Sequence, residues 1–74
     1  MVRPPTRVTN RIRDLREEHR ITQAELGERL GVSRQTVIAI EQGRYSPTLE
    51  LAFQIAHLFD APLDDVFGYR KDEP

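Results

Sequence analysis

Thr22-Gln23-Ala24-Glu25-Leu26-Gly27-Glu28-Arg29-Leu30-Gly31-Val32-Ser33-Arg34-Gln35-Thr36-Val37-Ile38-Ala39-Ile40-Glu41-Gln42 reads as two short helices and the turn between them. Thr22 and Glu25 form a capping box, in which hydroxyl and carboxylate each accept an otherwise unpaired backbone N–H. Leu26 and Leu30 then point inward. Gly31 ends the helix, because glycine takes the left-handed conformation at little cost. Ser33 is the next N-cap, opening a helix with Val37 and Ile40 inward that stops at Gly43. Two short helices joined by the turn Gly31-Val32-Ser33 make a helix-turn-helix unit over residues 23–42, whose second helix enters a DNA groove. Helical hairpins of other kinds also have glycine turns, so the spacing alone leaves both open. Gly27, inside the first of these helices, costs about 1 kcal/mol relative to alanine. That is tolerable where a neighbouring helix must approach too closely for a β-carbon.

Upstream, Val8, Ile12 and Leu15 repeat at i, i+4 and i+7, predicting a helix over 10–19. Downstream, Gln42 to Pro47 is a loop by its Gly and Pro, and Thr48 caps a helix from Leu49 to Phe59. Pro62 breaks the chain before a last short helix, Leu63 to Val66. The expected fold is all-α with five helices: a domain over 10–67, a basic arm over 1–9 and a tail over 68–74. At 74 residues there is one core and no second domain.

Composition narrows the function. No apolar run approaches the roughly 20 residues that span a bilayer, so no membrane partner is expected. Cysteine is absent, which excludes disulfides and thiolate metal sites, and the Arg- and Pro-containing start lacks the apolar stretch of a signal peptide. The expected location is the cytoplasm. The net charge is −1, but residues 1–45 hold nine arginines against six acids, whereas residues 46–74 hold two basic residues against six acids. Residues 1–13 carry Arg3, Arg7, Arg11 and Arg13 with no acid, as an arm facing nucleic acid would, or as a solvated basic tail. Without Cys, and with His19 and His57 unpartnered, no nucleophile, base and orienting group can be assembled, so no enzyme is expected. Asp64-Asp65 and Asp72-Glu73 read as solvated acids. No metal or other cofactor is expected.

The helix after Ser33 has two faces. Val37, Ile40 and Glu41 share one side; Arg34, Ile38 and Gln42 recur at i, i+4 and i+8 on the other, with Gln35 and Ala39 beside them. Arg pairs bidentately with guanine and Gln with adenine, while Ile and Ala can only meet a thymine methyl. Ile38 is either such a contact or a half-buried flank residue. Arg11 and Arg13 stand in the first turn of the first helix, where positive charge opposes the helix dipole. That placement points to phosphate contact, or else costs almost nothing because it is exposed.

Thr22-Gln23-Ala24-Glu25-Leu26, Gly31-Val32-Ser33-Arg34-Gln35-Thr36, Ile40-Glu41-Gln42-Gly43 and Ser46-Pro47-Thr48-Leu49-Glu50-Leu51 together resemble the Cro/CI-type (XRE) helix-turn-helix transcriptional regulators. The resemblance runs from Ile12 to Phe67 and is strongest to the short stand-alone dimeric repressors, which carry no small-molecule effector domain. It implies a lambda-repressor-like five-helix fold in which residues 7–10 pair with 67–70 as short strands. It also implies a homodimer on a palindromic operator in double-stranded DNA. Base reading falls to the positions of Arg34, Gln35 and Ala39, with Ile38 departing from the family's polar residue; Ser33 is a cap first and a DNA contact second. Phosphate contacts fall to Gln23, and to Gln42, Arg44 and Tyr45 at and beyond the end of the reading helix. Arg16 and Glu41 match a structural ion pair.

The fourth helix supplies the expected dimer surface. Its apolar residues cover more than half the helical wheel, leaving Glu50, Gln54 and His57 on a narrow polar arc. Leu51 and Leu58, on the edge away from Leu49, are expected to be exposed in a monomer and covered in a dimer, with Leu63 and Phe67 extending the patch. A different reading makes the protein an antitoxin or protein-interaction module with secondary DNA binding. The few residues after Arg70 leave little to wrap a toxin.

Overall fold

The computed structural model describes residues 6–71. Arg3 of the arm, and Asp72 and Glu73 of the tail, lie outside the described residues. The order is β1 (Val8–Asn10), α1 (Ile12–Glu18), α2 (Gln23–Leu30), α3 (Arg34–Glu41), α4 (Leu49–Leu58), α5 (Leu63–Val66) and β2 (Phe67–Tyr69). The two strands pair antiparallel, Val8 with Tyr69, Thr9 with Gly68 and Asn10 with Phe67, as the resemblance implied. The first helix begins later than its periodicity predicts because Asn10 belongs to the sheet. Its Oδ1 instead accepts the Ile12 N–H at 3.1 Å.

Local chemistry sets the helix starts. Thr22 and Glu25 form the reciprocal capping box, Ser33 Oγ accepts the Thr36 N–H at 3.1 Å, and Thr48 Oγ1 accepts the Leu51 N–H at 3.1 Å. The ends of α1 to α4 share one geometry. In each, a residue at positive φ turns the chain and the next N–H reaches back five residues: Ile21 to Arg16, Val32 to Gly27, Arg44 to Ala39 and Ala61 to Ala56. This is the Schellman arrangement, which satisfies carbonyls left over at the last turn. Gly31 and Gly43 make the turn after α2 and α3, at φ 76° and 73°. Arg20 and Asp60 do so after α1 and α4, at φ 56° and 54°.

Ile12, Leu26, Val37, Ile40, Ile55 and Val66 are the most completely buried large side chains, so every helix contributes to one core. Gly27 is buried where α2 meets the turn before α3: a β-carbon there would lie 2.8 Å from the Val32 carbonyl oxygen and 3.2 Å from the Ser33 carbonyl carbon. The close neighbour is thus the backbone of the turn, not a crossing helix.

The exposed edge of α4 differs from expectation. Leu51 is only 8% exposed and belongs to the core with Ala52, Ile55, Ala56 and Phe59, and Leu58 packs half-buried against that cluster. The outward apolar residues are Leu49 and Phe53, 69% and 53% exposed. The inward face is fixed by α5, whose Val66 is buried in the same core. The wide apolar arc is therefore rotated toward Leu51. Leu49, Leu63, Phe67 and Tyr69 line one apolar groove of about 730 Å³ with Val8, Pro47 and Ala52.

Candidate nucleic-acid interface

The capping box leaves the first turn of α2 facing outward. The Thr22 backbone N–H and hydroxyl hold the exposed Glu25 carboxyl below its ordinary pKa, keeping negative charge at the positive end of the helix. After α2 and the turn at Gly31, Ser33 opens α3 and sends Arg34 and Gln35 into solvent. Ile38 and Ala39 are half-buried on the flank of that face.

Behind this surface lies a nearly buried ion pair. Arg16 Nε stands 2.8 Å from Glu41 Oε2, with 13% and 5% of the two side chains exposed. The pair carries further hydrogen bonds, which a buried pair needs to offset its desolvation. Arg16 Nη1 also donates to the Ile21 carbonyl at 3.1 Å. Glu41 Oε1 accepts from Gln23 Nε2 at 3.2 Å. Gln23 Oε1 in turn accepts from Arg34 Nη2 at 3.3 Å.

This chain fixes the Gln23 amide. Turned the other way, its oxygen would face a carboxylate and its NH2 a guanidinium. Gln23 therefore joins the exposed first residue of α3 to the nearly buried Glu41. One of its two amide hydrogens has no part in these two bonds.

Arg13, Arg16, Gln23, Arg34, Glu41 and Gln42 line a polar cleft of about 550 Å³ with Thr22 and Ala24. Arg44 and Tyr45 are exposed in the loop beyond α3. Arg11 is not brought to this cleft: its Nη1 donates to the Asp65 carbonyl at 3.3 Å, toward α5. Arg13 does line it, and its Nε also pairs with Glu17 at 3.3 Å. Ser33 Oγ is engaged in capping and with the Thr36 hydroxyl, 3.0 Å away. Sequence reasoning missed the role of Gln23 as a bridge, which only the crossing of α2 and α3 reveals. Among the described residues, no group of three or more His, Asp or Glu side chains could hold a metal ion, and no helix is long and apolar enough to cross a membrane.

A capped helix, a glycine turn and an outward second helix bearing Arg34 and Gln35 define a helix-turn-helix domain. The helix-turn-helix family profile matches residues 12–66. An uncharacterized HTH-type transcriptional regulator of Methanocaldococcus jannaschii is 50% identical over 64 residues, covering 86% of this chain and 97% of the relative. The transcriptional repressor of a cryptic phage in Vibrio cholerae is 34% identical over 58 residues, 78% of this chain and 52% of that protein. A crystal structure from Bacteroides fragilis matches the fold with a TM-score of 0.75 at 23% identity, covering 82% of this chain and 98% of that one. The chain belongs to the Cro/CI-like helix-turn-helix family of transcriptional regulators, a family of regulators and not of enzymes.

Proposed function

We propose that the protein is a sequence-specific repressor that binds a palindromic operator in double-stranded DNA as a homodimer. The observation that carries this reading is the bridge from Arg34 through Gln23 to Glu41. It holds a guanidinium at the outer start of α3, where bidentate bonding to guanine in the major groove is open to it. Gln35, Ala39, Ile38 and, secondarily, Ser33 complete the base-facing set. Gln23, Arg13, Gln42, Arg44 and Tyr45 contact phosphates and so set register without specifying sequence. Arg11, turned toward Asp65, is left out of this set.

The apolar groove supports a two-fold partner. Leu49 and Tyr69 stand 69% and 67% exposed beside it, and exposed apolar clusters of this kind mark association surfaces. In an isologous pair each copy's protruding residues meet the other's groove. Leu63 and Phe67 remain in that interface, with Leu49 and Tyr69 added; Leu51 and Leu58 support it from the core. A dimer of this kind presents two reading helices about 34 Å apart, one turn of DNA. The likeness to the Vibrio cholerae repressor supports repression as the regulatory sense.

Selection of bound duplexes from a random library tests the proposal. The expected product is a two-fold symmetric site with half-site centres about 10 base pairs apart. Failure to enrich any sequence overturns it.

A further inference from the structure

Arg34 and Glu41 are the first and last residues of α3, about 10 Å apart along its axis. That is beyond the i, i+4 spacing at which side chains on one helix meet. Gln23, the first residue of α2, spans the gap: its NH2 lies on Glu41 and its oxygen on Arg34. Glu41 meets no base itself, since only 5% of its side chain is exposed.

The two carboxylate oxygens of Glu41 face different donors. Oε2 takes the short bond from Arg16 Nε, 2.8 Å. Oε1 takes the Gln23 amide at 3.2 Å and a longer contact, 3.5 Å, from Arg16 Nη2. Such a double role needs a carboxylate, which accepts on both sides, whereas an amide accepts on one and donates on the other. With glutamine at position 41 the oxygen would stay with Arg16 and the NH2 would meet Gln23. Gln23 would then turn its own oxygen inward and present NH2 to the Arg34 guanidinium, donor against donor.

We infer that Glu41 is a positioning residue for base recognition: through Gln23 it keeps an acceptor in front of Arg34, so that the guanidinium is held in one orientation. Only Nη2 of Arg34 is used in this bond, and a guanidinium carries further N–H groups for a base edge. The inference rests on the reading of Arg34 as a base contact.

Affinities for a selected operator and for operators changed at single base pairs test it, with circular dichroism to confirm folding. Glu41→Gln should lower the discrimination at the base pair read by Arg34 by about two- to tenfold, the range of one hydrogen bond. Gln23→Met, which keeps the length and removes the amide but leaves the Arg16–Glu41 pair in place, should lower it as much. It stands in for Glu41→Gln if that variant does not fold. In an Arg34→Ala background neither change should alter the base profile further. A folded Glu41→Gln that weakens all operators equally, as a purely structural role would, or a Gln23→Met with wild-type discrimination, overturns the inference and leaves Arg34 as a reader. So does a loss of discrimination that persists in the Arg34→Ala background. An Arg34→Ala profile identical to that of the wild type overturns the base-contact reading itself.

Discussion

Gly27 and Val32 lie so close that a β-carbon on the first would stand 2.8 Å from the carbonyl oxygen of the second. The Val32 N–H also returns to the Gly27 carbonyl at 2.9 Å. The angle between α2 and α3 is therefore set by backbone against backbone, with no flexible side chain to yield. Gly27→Ala should destabilise the domain by about 1–3 kcal/mol through forced displacement, less the roughly 1 kcal/mol that alanine adds to helix propensity. Urea denaturation checks this, and a midpoint at or above that of the wild type would contradict the close approach.

Arg34→Ala should cost about 1–3 kcal/mol on the preferred operator and relax the preference at one base pair per half-site. Arg44→Ala should weaken all sequences alike. Gln23→Ala should do both in part, since it removes a phosphate donor and the acceptor that steadies Arg34. Binding to a panel of single-base operator variants separates the three. Identical preference profiles for the wild type and Arg34→Ala would remove Arg34 from the reading set.

The groove beside Leu49 predicts a dimer that Leu49→Glu dissolves into folded monomers. Leu51→Ala should act differently, costing about 2–5 kcal/mol of fold stability as a core truncation. Sedimentation equilibrium at micromolar concentration, with circular dichroism as the control for folding, distinguishes them. A monomeric wild type, or a Leu49→Glu variant that still dimerises, is the contrary result.

The lowered pKa of Glu25 gives α2 a dependence on acid. Because the folded-state value lies below the unfolded one, the carboxylate stabilises the fold fully above about pH 4.3, the unfolded value. That contribution is lost as pH falls through the folded-state value. Thermal midpoints of the wild type should exceed those of Glu25→Gln near neutrality and converge with them in acid. A gap that does not change with pH would mean that the carboxylate's charge is irrelevant to the cap.

The start and stop of α2 and α3 are legible in sequence because each rests on a residue type with a local reason, Thr22, Ser33, Gly31 and Gly43. The ends of α1 and α4 use the same bonds but turn on Arg20 and Asp60; aspartate tolerates positive φ better than most side chains, arginine does not. Nothing in the identity of Arg20 announces it. The wide apolar arc of α4 predicts a shared surface, but which edge turns inward depends on α5, and periodicity carries no information about that neighbour. Arg11 and Arg13 look equivalent in the chain, yet they reach opposite ends of α1. The family resemblance supplied Gln23 as a phosphate contact, whereas its bond to Arg34 appears only in three dimensions.

Pairing Val8 with Tyr69 joins residues from nearly opposite ends of the chain, whereas the ends of α1 to α4 are closed by bonds that reach back five residues. Closing so long a loop before the helices have collapsed costs entropy that no local contact repays. The strands are therefore expected to pair late in folding and to open before the core, which faster amide exchange at Arg70 than at Ile55 would show. Each opening frees the Ile40 carbonyl from Asn10 and leaves the hydrophobic centre closed. The end of α3 is thus tied, through Asn10 and the Ile40 carbonyl, to the element that joins the two ends of the chain.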